Sequence, residues 1–189
     1  MDNDSKSRQN DELRQLIEDC VQKKRKAQHR FFKSFYGSMF AVCMRYAENR
    51  EEAEDMVLEG FVKIFDHLEK YQHTGSFEGW MKTIMINTAI DYQRKYKKMN
   101  ELVSCEEVSE AVFSNAESNV ISKMSSDELL KLVQELPPMS KNVFNLFVFD
   151  GFSHTEIADM LQIKEGTSFW HLNNARNILK EKIRKLYQI

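Results

Sequence analysis

The sequence predicts an all-α protein made of two small helical domains that a flexible acidic linker joins. Only six glycines and two prolines stand in 189 residues, against a combined share of about 12% in ordinary globular proteins. Because sheet folds need many chain reversals, so few turn-forming residues favour helices. Apolar residues also recur at three- and four-residue steps over most of the chain, which is the period of a helix with one buried face.

Composition and charge exclude several classes of protein. The formal net charge is -2 and hydrophobic residues make up 42% of the chain, values typical of a globular protein and not of a fibrous or disordered one. No apolar run approaches the roughly 18 residues that a membrane span needs, and the start, MDNDSKSRQNDELRQ, is too polar for a signal peptide. We therefore expect a cytoplasmic protein without direct insertion into a membrane.

The residue types that hold metals or perform catalysis are scattered along the chain. The three cysteines, Cys20, Cys43 and Cys105, form no CxxC pair, which argues against a disulfide framework and against a zinc site. The five histidines lie apart without HExxH spacing, and no GxSxG or Walker-type string occurs. We therefore expect no metal, no cofactor and no enzymatic activity.

Shifts in composition divide the chain into four parts. Between residues 100 and 128 there are seven acidic groups and a single lysine, without sustained helical periodicity, which is typical of a flexible linker. The predicted parts are an N-terminal amphipathic segment at 1–29, a first helical domain at 30–99, the acidic linker at 100–128 and a second helical domain at 129–189.

Apolar spacing and capping residues predict three helices in the first domain. The first covers Phe31–Tyr46, and the second starts after a cap at Asn49 and ends near Tyr71. The third starts after a cap at Ser76 and has a strongly basic end, DYQRKYKK. Trp80 falls in the apolar stripe of this third helix, which favours a place for its side chain in the core over a role in base stacking.

The second domain carries a helix-turn-helix pattern. Ser153 and Glu156 have the spacing of a capping box and open a short helix, and a tight connection over Gln162–Glu165 leads to a long helix from Gly166. In the helix-turn-helix plan the second of two such helices enters the DNA major groove. The spacing by itself also fits a plain helical hairpin.

Three segments resemble the sigma-70 family, specifically the small extracytoplasmic-function (ECF) sigma factors of bacterial RNA polymerase. The carboxy-terminal promoter-binding domain of the family is similar to LPPMSKNVFNLFVFDGFSHTEIADMLQIKEGTSFWHLNNAR. Its core-binding segment is similar to NREEAEDMVLEGFVKIF, and its minus-ten recognition segment is similar to TGSFEGWMKTIMINTAIDYQRK. The resemblance covers about residues 30 to 187 and implies a sigma region 2-like bundle followed by a sigma region 4-like helix-turn-helix domain.

The resemblance implies that the second helix binds the clamp helices of the polymerase beta-prime subunit. An acidic outer face suits a basic partner, although most charged faces are simply solvated. This chain departs from the family pattern LVQETF at Leu58, where Gln is usual, and at Gly60, where Thr is usual. The implied core-binding residues are Glu52, Glu54, Asp55, Leu58, Glu59 and Val62.

The loop before the third helix and the helix itself are implied to bind the minus-ten element while the duplex opens. Phe77, Ser76 and Asn87 would give an extruded base a stacking surface and hydrogen bonds, and the basic end of the helix would neutralise phosphates. The implied residues are Tyr71, Gly75, Ser76, Phe77, Asn87, Asp91, Arg94, Lys95 and Lys98.

The helix-turn-helix is implied to bind the minus-thirty-five element. Family members commonly carry Lys or Arg in the recognition helix, whereas this one has no such cation before Arg176. Phe169 and Trp170 are unusual there and could contact thymine methyls, pack against the polymerase flap or an inhibitor, or complete the core, with packing favoured for Trp170. The implied residues are Ser153, Thr155, Glu156, Thr167, Ser168, Phe169, His171, Asn173, Asn174 and Arg176.

The expected function is therefore that of a sigma factor, which binds the polymerase core and directs promoter recognition, DNA melting and transcription initiation. Its implied partners are the beta-prime clamp helices, the beta flap, double- and single-stranded promoter DNA, and an anti-sigma factor. One alternative is an ordinary helix-turn-helix regulator, which would leave both amino-terminal motifs unexplained. Another is an interaction module that binds polymerase or an anti-sigma factor without reading promoters, which the weakly basic recognition helix favours.

Overall fold

The computed structural model describes residues 2–72, 75–96 and 124–187. The described residues contain helices and no strand, which confirms the predicted fold class of two helical domains. Most of the predicted linker and the basic residue Lys98 lie outside the described residues. No helix in the described ranges is long and apolar enough to cross a membrane.

Eight α-helices and two short irregular helices follow one another in the described chain. The α-helices are α1 Asp2–Val21, α2 Arg25–Tyr46, α3 Arg50–His67, α4 Phe77–Tyr96, α5 Ser126–Gln134, α6 Pro138–Phe144, α7 His154–Leu161 and α8 Glu165–Tyr187. A 3-10 turn at Leu68–Lys70 follows α3, and a π-helix at Asn145–Phe149 follows α6.

The described helices fall into two compact units. Unit 1 comprises Met1–Met44 and Asn49–Ala89, and unit 2 comprises Arg45–Glu48 and Ile90–Ile189. The ends of α2 and α4 thus belong to unit 2. The domain boundaries expected from the sequence stay a prediction.

Several helix boundaries differ from those predicted. Helix α2 begins at Arg25, six residues before the predicted start at Phe31. The KKRK run at 23–26 does not continue α1 but spans the end of the turn and the first residues of α2. Lys23 instead adopts a positive φ of 57° in the turn between α1 and α2. Helix α5 begins at Ser126, inside the predicted linker, because Ser125 and Glu128 form a capping box that satisfies the free amides of its first turn.

Unit 1 is built around a cluster of aromatic rings on α2, α3 and α4. Phe31 of α2 is fully buried, and its ring centroid lies 6.4 Å from Phe61, 5.5 Å from Phe65 and 5.8 Å from Phe77. Such tilted and edge-to-face pairs stabilise a core by about 0.5–1.5 kcal/mol each beyond the burial of their area. The predicted cap is also present, because the Asn49 side chain accepts a hydrogen bond of 2.9 Å from the Glu52 amide.

Gly60 allows a close approach between α3 and α4. It is buried, and a Cβ atom added there would overlap the Sδ atom of Met85. The absence of a side chain at this position therefore explains the departure from the Thr of the family pattern.

The substitution Gly60→Val is expected to destabilise unit 1. Overpacking costs typically 1–3 kcal/mol, which exceeds the helix propensity that Val gains over Gly. Urea unfolding of the full chain would measure the loss, and Met85→Ala in the same chain should recover part of it because it empties the space that Val needs. Additive effects of the two substitutions would contradict the proposed overlap.

A buried polar network holds unit 2 together. Asp150 accepts hydrogen bonds of 2.7 Å from the Arg45 guanidinium and from the Tyr46 hydroxyl. Gln93 donates to the Tyr46 carbonyl and accepts from the Asn142 side chain. Because a buried carboxylate is costly unless it is paired and hydrogen-bonded, this network accounts for the burial of Asp150.

Candidate nucleic-acid and protein-binding surfaces

The outward side of α3 presents apolar and acidic side chains together. Leu58 and Val62, one helical turn apart, are 54% and 60% exposed. The opposite side of the helix is buried, with residues Ala53, Met56, Val57, Gly60, Phe61 and Ile64. We call the outward set the α3 face: Glu52, Glu54, Asp55, Leu58, Glu59 and Val62.

Two carboxylates of the α3 face form ion pairs with cations of the same helix. Glu54 accepts from Arg50 at 2.8 Å, and Glu59 lies 3.2 Å from the ammonium of Lys63. Ion pairs at such exposed positions contribute less than about 1 kcal/mol, so they leave the carboxylates available to a partner. An exposed apolar pair within a ring of carboxylates suits a partner that offers both apolar and basic groups.

Side-chain hydrogen bonds link the described residues just before α4 and at its start. The Tyr71 hydroxyl donates to the Gly75 carbonyl at 3.2 Å, and Gly75 has a φ of 82°, a conformation that glycine adopts without strain. The Ser76 hydroxyl accepts from the Gly79 amide at 3.3 Å, in agreement with the predicted start of the helix. Tyr71 therefore lies close to Gly75 and Phe77, beside Ser76 at the start of α4.

The aromatic rings near the start of α4 differ in exposure, and the exposed rings are those of Tyr71 and Trp80 instead of the predicted Phe77. Phe77 is only 7% exposed, and its centroid lies 4.9 Å from Tyr71 and 5.6 Å from Trp80. Trp80, which the sequence assigns to the core, is partly exposed, as is Tyr71. The helical stripe misled the assignment because Trp80 precedes the buried Met81 by one residue, so their side chains point about 100° apart around α4.

The remaining predicted minus-ten residues lie along α4. Asn87, Asp91 and Lys95 are exposed. Arg94 is partly buried and is engaged within unit 2, where it donates to the Met160 carbonyl and lies 3.6 Å from Asp91. Asn87 lies about two helical turns after Trp80, so both side chains share one side of the helix.

Helices α7 and α8 have the arrangement of a helix-turn-helix. The Ser153 side chain accepts from the Glu156 amide while the Glu156 carboxylate accepts from the Ser153 amide, so the predicted capping box is present. These hydrogen bonds from Ser153 hold the pKa of the Glu156 carboxyl below its usual range. Gln162 ends α7 with a φ of 56°, which explains why glycine is common at this turn position.

The predicted minus-thirty-five residues divide into an exposed and a buried group. Thr155, Glu156 and Phe169 are exposed, and the Thr155 hydroxyl donates to Glu165 at 3.2 Å. Residues Thr167, Asn173, Asn174 and Arg176 are partly exposed, and Ser153 is exposed at the cap. Ser168 and His171 are buried instead, so the structure does not place them on the outward side of α8.

Hydrogen bonds explain the burial of these polar residues. The Ser168 hydroxyl lies 2.8 Å from Nδ1 of His154, a residue that sequence reasoning did not select. The Ser140 hydroxyl lies 3.0 Å from Nδ1 of His171 and accepts from Asn174 at 3.1 Å. Burial lowers the pKa of His154 and lowers that of His171 to about 4, so both rings are neutral at neutral pH.

The spacing of α8 contained a signal for the buried pair. Ser168, His171 and Leu172 recur at three- and four-residue steps with Ala175 and Leu179, all of which are buried. The two polar residues therefore belong to the inner stripe. Trp170 is partly exposed, and its ring lies 4.9 Å from that of His171 in an edge-to-face arrangement.

The described residues contain no group of three or more His, Cys, Asp or Glu side chains that could hold a metal ion. Across the described ranges, the two cysteines present, Cys20 and Cys43, are buried and form no disulfide.

Two family models match the chain in the order of its two domains. A model described as Sigma-70 region 2 matches residues 31–99, and one described as Sigma-70, region 4 matches residues 126–179. These ranges include the α3 face, the aromatic residues Tyr71, Phe77 and Trp80, and the helix-turn-helix.

Curated proteins match over most of the chain. The ECF RNA polymerase sigma factor SigW of Bacillus subtilis is 27% identical over 158 residues, which cover 78% of this chain and 84% of SigW. The sigma factor SigM of the same organism is 23% identical over 150 residues, which cover 79% of this chain and 90% of SigM. The sigma factor SigE of Mycolicibacterium smegmatis is 26% identical over 150 residues, and the match spans 58% of its length.

A solved structure shares the fold. The sigma factor RpoE of Bartonella quintana, crystallised with the anti-sigma factor NepR, aligns with a TM-score of 0.51 at 16% identity. The alignment covers 85% of this chain and 96% of RpoE.

Proposed function

Since the chain belongs to the sigma-70 family, in its extracytoplasmic-function subfamily, we propose that it binds core RNA polymerase and directs promoter recognition, DNA melting and transcription initiation. One observation carries the proposal. The chain contains, in the family's order, a region 2 segment with an exposed apolar and acidic helix face and a region 4 segment with a helix-turn-helix. An ordinary helix-turn-helix regulator would account only for the second of these.

The α3 face is the proposed contact with the beta-prime clamp helices. Leu58 and Val62 offer apolar area that water covers in the free protein, and the surrounding carboxylates suit a basic coiled coil. The beta flap would contact the carboxy-terminal domain. An anti-sigma factor is a further proposed partner, because the similar sigma factor RpoE is bound by the anti-sigma factor NepR in its solved structure.

The proposed minus-ten surface consists of Tyr71, the first turn of α4 and the exposed residues further along α4. The buried ring of Phe77 packs against the rings of Tyr71 and Trp80. These two rings are partly exposed and offer the stacking surface for an unpaired base. Asn87 would supply hydrogen bonds, and Lys95 with Lys98 would neutralise phosphates.

The substitution Trp80→Leu is expected to weaken binding of single-stranded DNA by the polymerase-bound protein. Stacking on an aromatic ring contributes about 1–3 kcal/mol per base, which corresponds to roughly 5- to 150-fold in affinity. Fluorescence anisotropy of a labelled nontemplate-strand oligonucleotide would measure the change. The matched variant Trp80→Phe keeps a planar ring and should retain most of the affinity, so equal losses in the two variants would contradict a stacking role.

Helix α8 is the proposed reader of the minus-thirty-five element. Its exposed and partly exposed residues, Thr167, Phe169, Asn173, Asn174 and Arg176, lie toward its amino-terminal half, where recognition helices contact base edges. The protein would act by binding and not as an enzyme, without a cofactor. It would do so in the cytoplasm, where bacterial polymerase meets the chromosome.

Run-off transcription tests the proposed function. Purified core polymerase, this protein and a fragmented genomic template are combined, and the RNA start sites are mapped. Discrete starts that share two spaced upstream motifs are expected and would reveal the promoter. A protein that bound no core polymerase would contradict the proposal.

One observation favours a second candidate, an interaction module that binds polymerase or an anti-sigma factor without reading promoters. Between Gly166 and Ala175 the recognition helix has no Lys or Arg, which implies few phosphate contacts. In the transcription experiment this candidate would bind core polymerase but give no specific starts even at low salt.

A further inference from the structure

Three rings stack at the exposed end of the helix-turn-helix. The Phe169 centroid lies 3.7 Å from that of His154, with an interplanar angle of 29°. The His154 centroid lies 4.6 Å from that of Phe147, at 26°. His154 is buried between the other two, whereas Phe169 is 50% exposed on α8. The stack therefore ends in a large apolar ring that faces outward from the recognition helix.

The surroundings of His154 fix the orientation of this outer ring. Nδ1 of His154 lies 2.8 Å from the hydroxyl of Ser168, the residue before Phe169. The imidazole of His154 is held by a hydrogen bond on one edge and by Phe147 on one face. It therefore moves little and restricts the orientation of the Phe169 ring that stacks on it. A side chain ordered before binding loses less conformational entropy when it binds.

The chemistry of the recognition helix limits what it can read. Arginine and lysine, which recognise guanine in the major groove, are absent from Gly166 to Ala175. An exposed aromatic ring has one specific partner among the base edges of that groove, the C5 methyl group of thymine. Asn173 remains for hydrogen bonds to bases, since the Asn174 amide donates to Ser140, and an Asn suits adenine and not guanine.

We propose that Phe169 reads thymine methyl groups of the minus-thirty-five element, with His154 as the positioning residue that presents its ring. The proposal rests on the proposed sigma-factor function. It assigns the specificity of the second domain to an apolar contact in place of the cationic contacts that the recognition helix lacks.

Replacement of thymine by uracil in the promoter tests the contact directly. Uracil keeps the base pair and its hydrogen bonds and removes only the methyl group. Each thymine of the minus-thirty-five element, located from the mapped start sites, is replaced singly in the template, and run-off transcription with core polymerase is measured at limiting protein. At one or two positions, we expect uracil to reduce transcription about fourfold, the equilibrium factor for one buried methyl group. Uracil in the spacer between the two elements serves as the control and should have no effect.

Protein variants identify the residue that senses the methyl group. Phe169→Ala should lower transcription on the thymine template and respond to uracil at those positions by less than about 1.5-fold, because it has no ring to contact the methyl group. Phe169→Leu keeps an apolar side chain and should retain part of the discrimination, which guards against a general folding defect. For the positioning role, His154→Phe keeps a flat ring and should preserve the thymine-to-uracil ratio, whereas His154→Ala should lower that ratio. A loss of stability alone would reduce transcription on both templates equally.

The failures of this inference and of the proposed function are distinguishable. Specific start sites with no response to uracil anywhere in the minus-thirty-five element would overturn the methyl contact and leave the sigma-factor function standing. The methyl contact would likewise be overturned if Phe169→Ala responded to uracil as strongly as the unaltered protein. Absence of specific starts would overturn both.

Discussion

The substitutions Leu58→Asp and Val62→Asp are each expected to weaken binding to core polymerase by about 30-fold or more, because removal of a central interface residue typically costs about 2 kcal/mol or more. Both side chains are large, apolar and mostly exposed, and they lie one turn apart on the α3 face. An added carboxylate would have to be desolvated against the partner, next to Glu54, Asp55 and Glu59, and would therefore lose hydration without gaining a contact.

The fold should tolerate both substitutions. Changes at exposed positions usually alter the free energy of unfolding by less than about 0.5 kcal/mol. A binding titration with labelled core polymerase, together with urea unfolding of each variant, separates the loss of affinity from a loss of stability.

Leu186 provides a matched control. It is apolar and 62% exposed, at the end of α8 in the other unit, so Leu186→Asp introduces the same charge at an equally exposed leucine. We expect its affinity for a fragment that carries only the beta-prime clamp helices to stay within about twofold of that of the unaltered protein, because that fragment lacks the flap proposed to contact the carboxy-terminal domain. Equal losses from Leu58→Asp and Leu186→Asp would show that added negative charge, and not the α3 face, determines the affinity.

The helices of this chain were predictable wherever an apolar face meets a capping residue. Asn49 before α3 and Ser153 before α7 both cap as expected, because a cap depends on residues only three positions apart. The start of α2 at Arg25 was missed because between Arg25 and Arg30 only Ala27 is buried. Six residues with one small apolar side chain carry too little periodicity to indicate a helix.

A site residue was placed correctly when its neighbours lie close in sequence and wrongly when its partner lies far along the chain. Local spacing predicted which residues of α3 face outward, whereas the family resemblance implied that this face binds the polymerase. His171 depends on Ser140, which lies 31 residues earlier, and no local pattern contains that partner. A polar residue in an inner stripe is buried when a distant group satisfies it, so pattern reasoning placed His171 on the DNA side. Phe77 and Trp80 exchanged roles for a similar reason, since both rings pack against Tyr71, which lies outside the local pattern of α4.

Unit 2 is expected to lose stability as the pH falls from 6.5 to 4, because His171 is buried in its neutral form. Burial lowers the pKa of His171 from 6.5 to about 4 in the folded protein. Between these values the unfolded chain binds one more proton than the folded one, so the free energy of unfolding decreases as the pH decreases. Below about pH 4 both states are protonated at this residue and the loss is complete, with a total of about 3 kcal/mol.

The contacts of His171 explain why protonation is unfavourable. The ring is 4% exposed, and its Nδ1 faces the hydroxyl of Ser140, which itself accepts a hydrogen bond from Asn174. In the neutral ring Nδ1 can accept the Ser140 proton, which satisfies both groups. A protonated Nδ1 would be a second donor toward the same oxygen, and the Ser140 proton would lose its acceptor within a region that water does not reach.

Urea unfolding between about pH 7.5 and 4.5 measures this effect, with Trp170 as the probe. Its ring lies 4.9 Å from His171, and Trp80→Phe removes the other of the two tryptophans. The variant His171→Gln should flatten the dependence on pH in this window, whatever its effect on stability at neutral pH, because it removes the titrating group and keeps a polar side chain beside Ser140. His154 also has a lowered pKa and remains in both proteins, so the difference between the two curves isolates His171. Curves of equal slope would mean that His171 is not the group whose protonation destabilises unit 2.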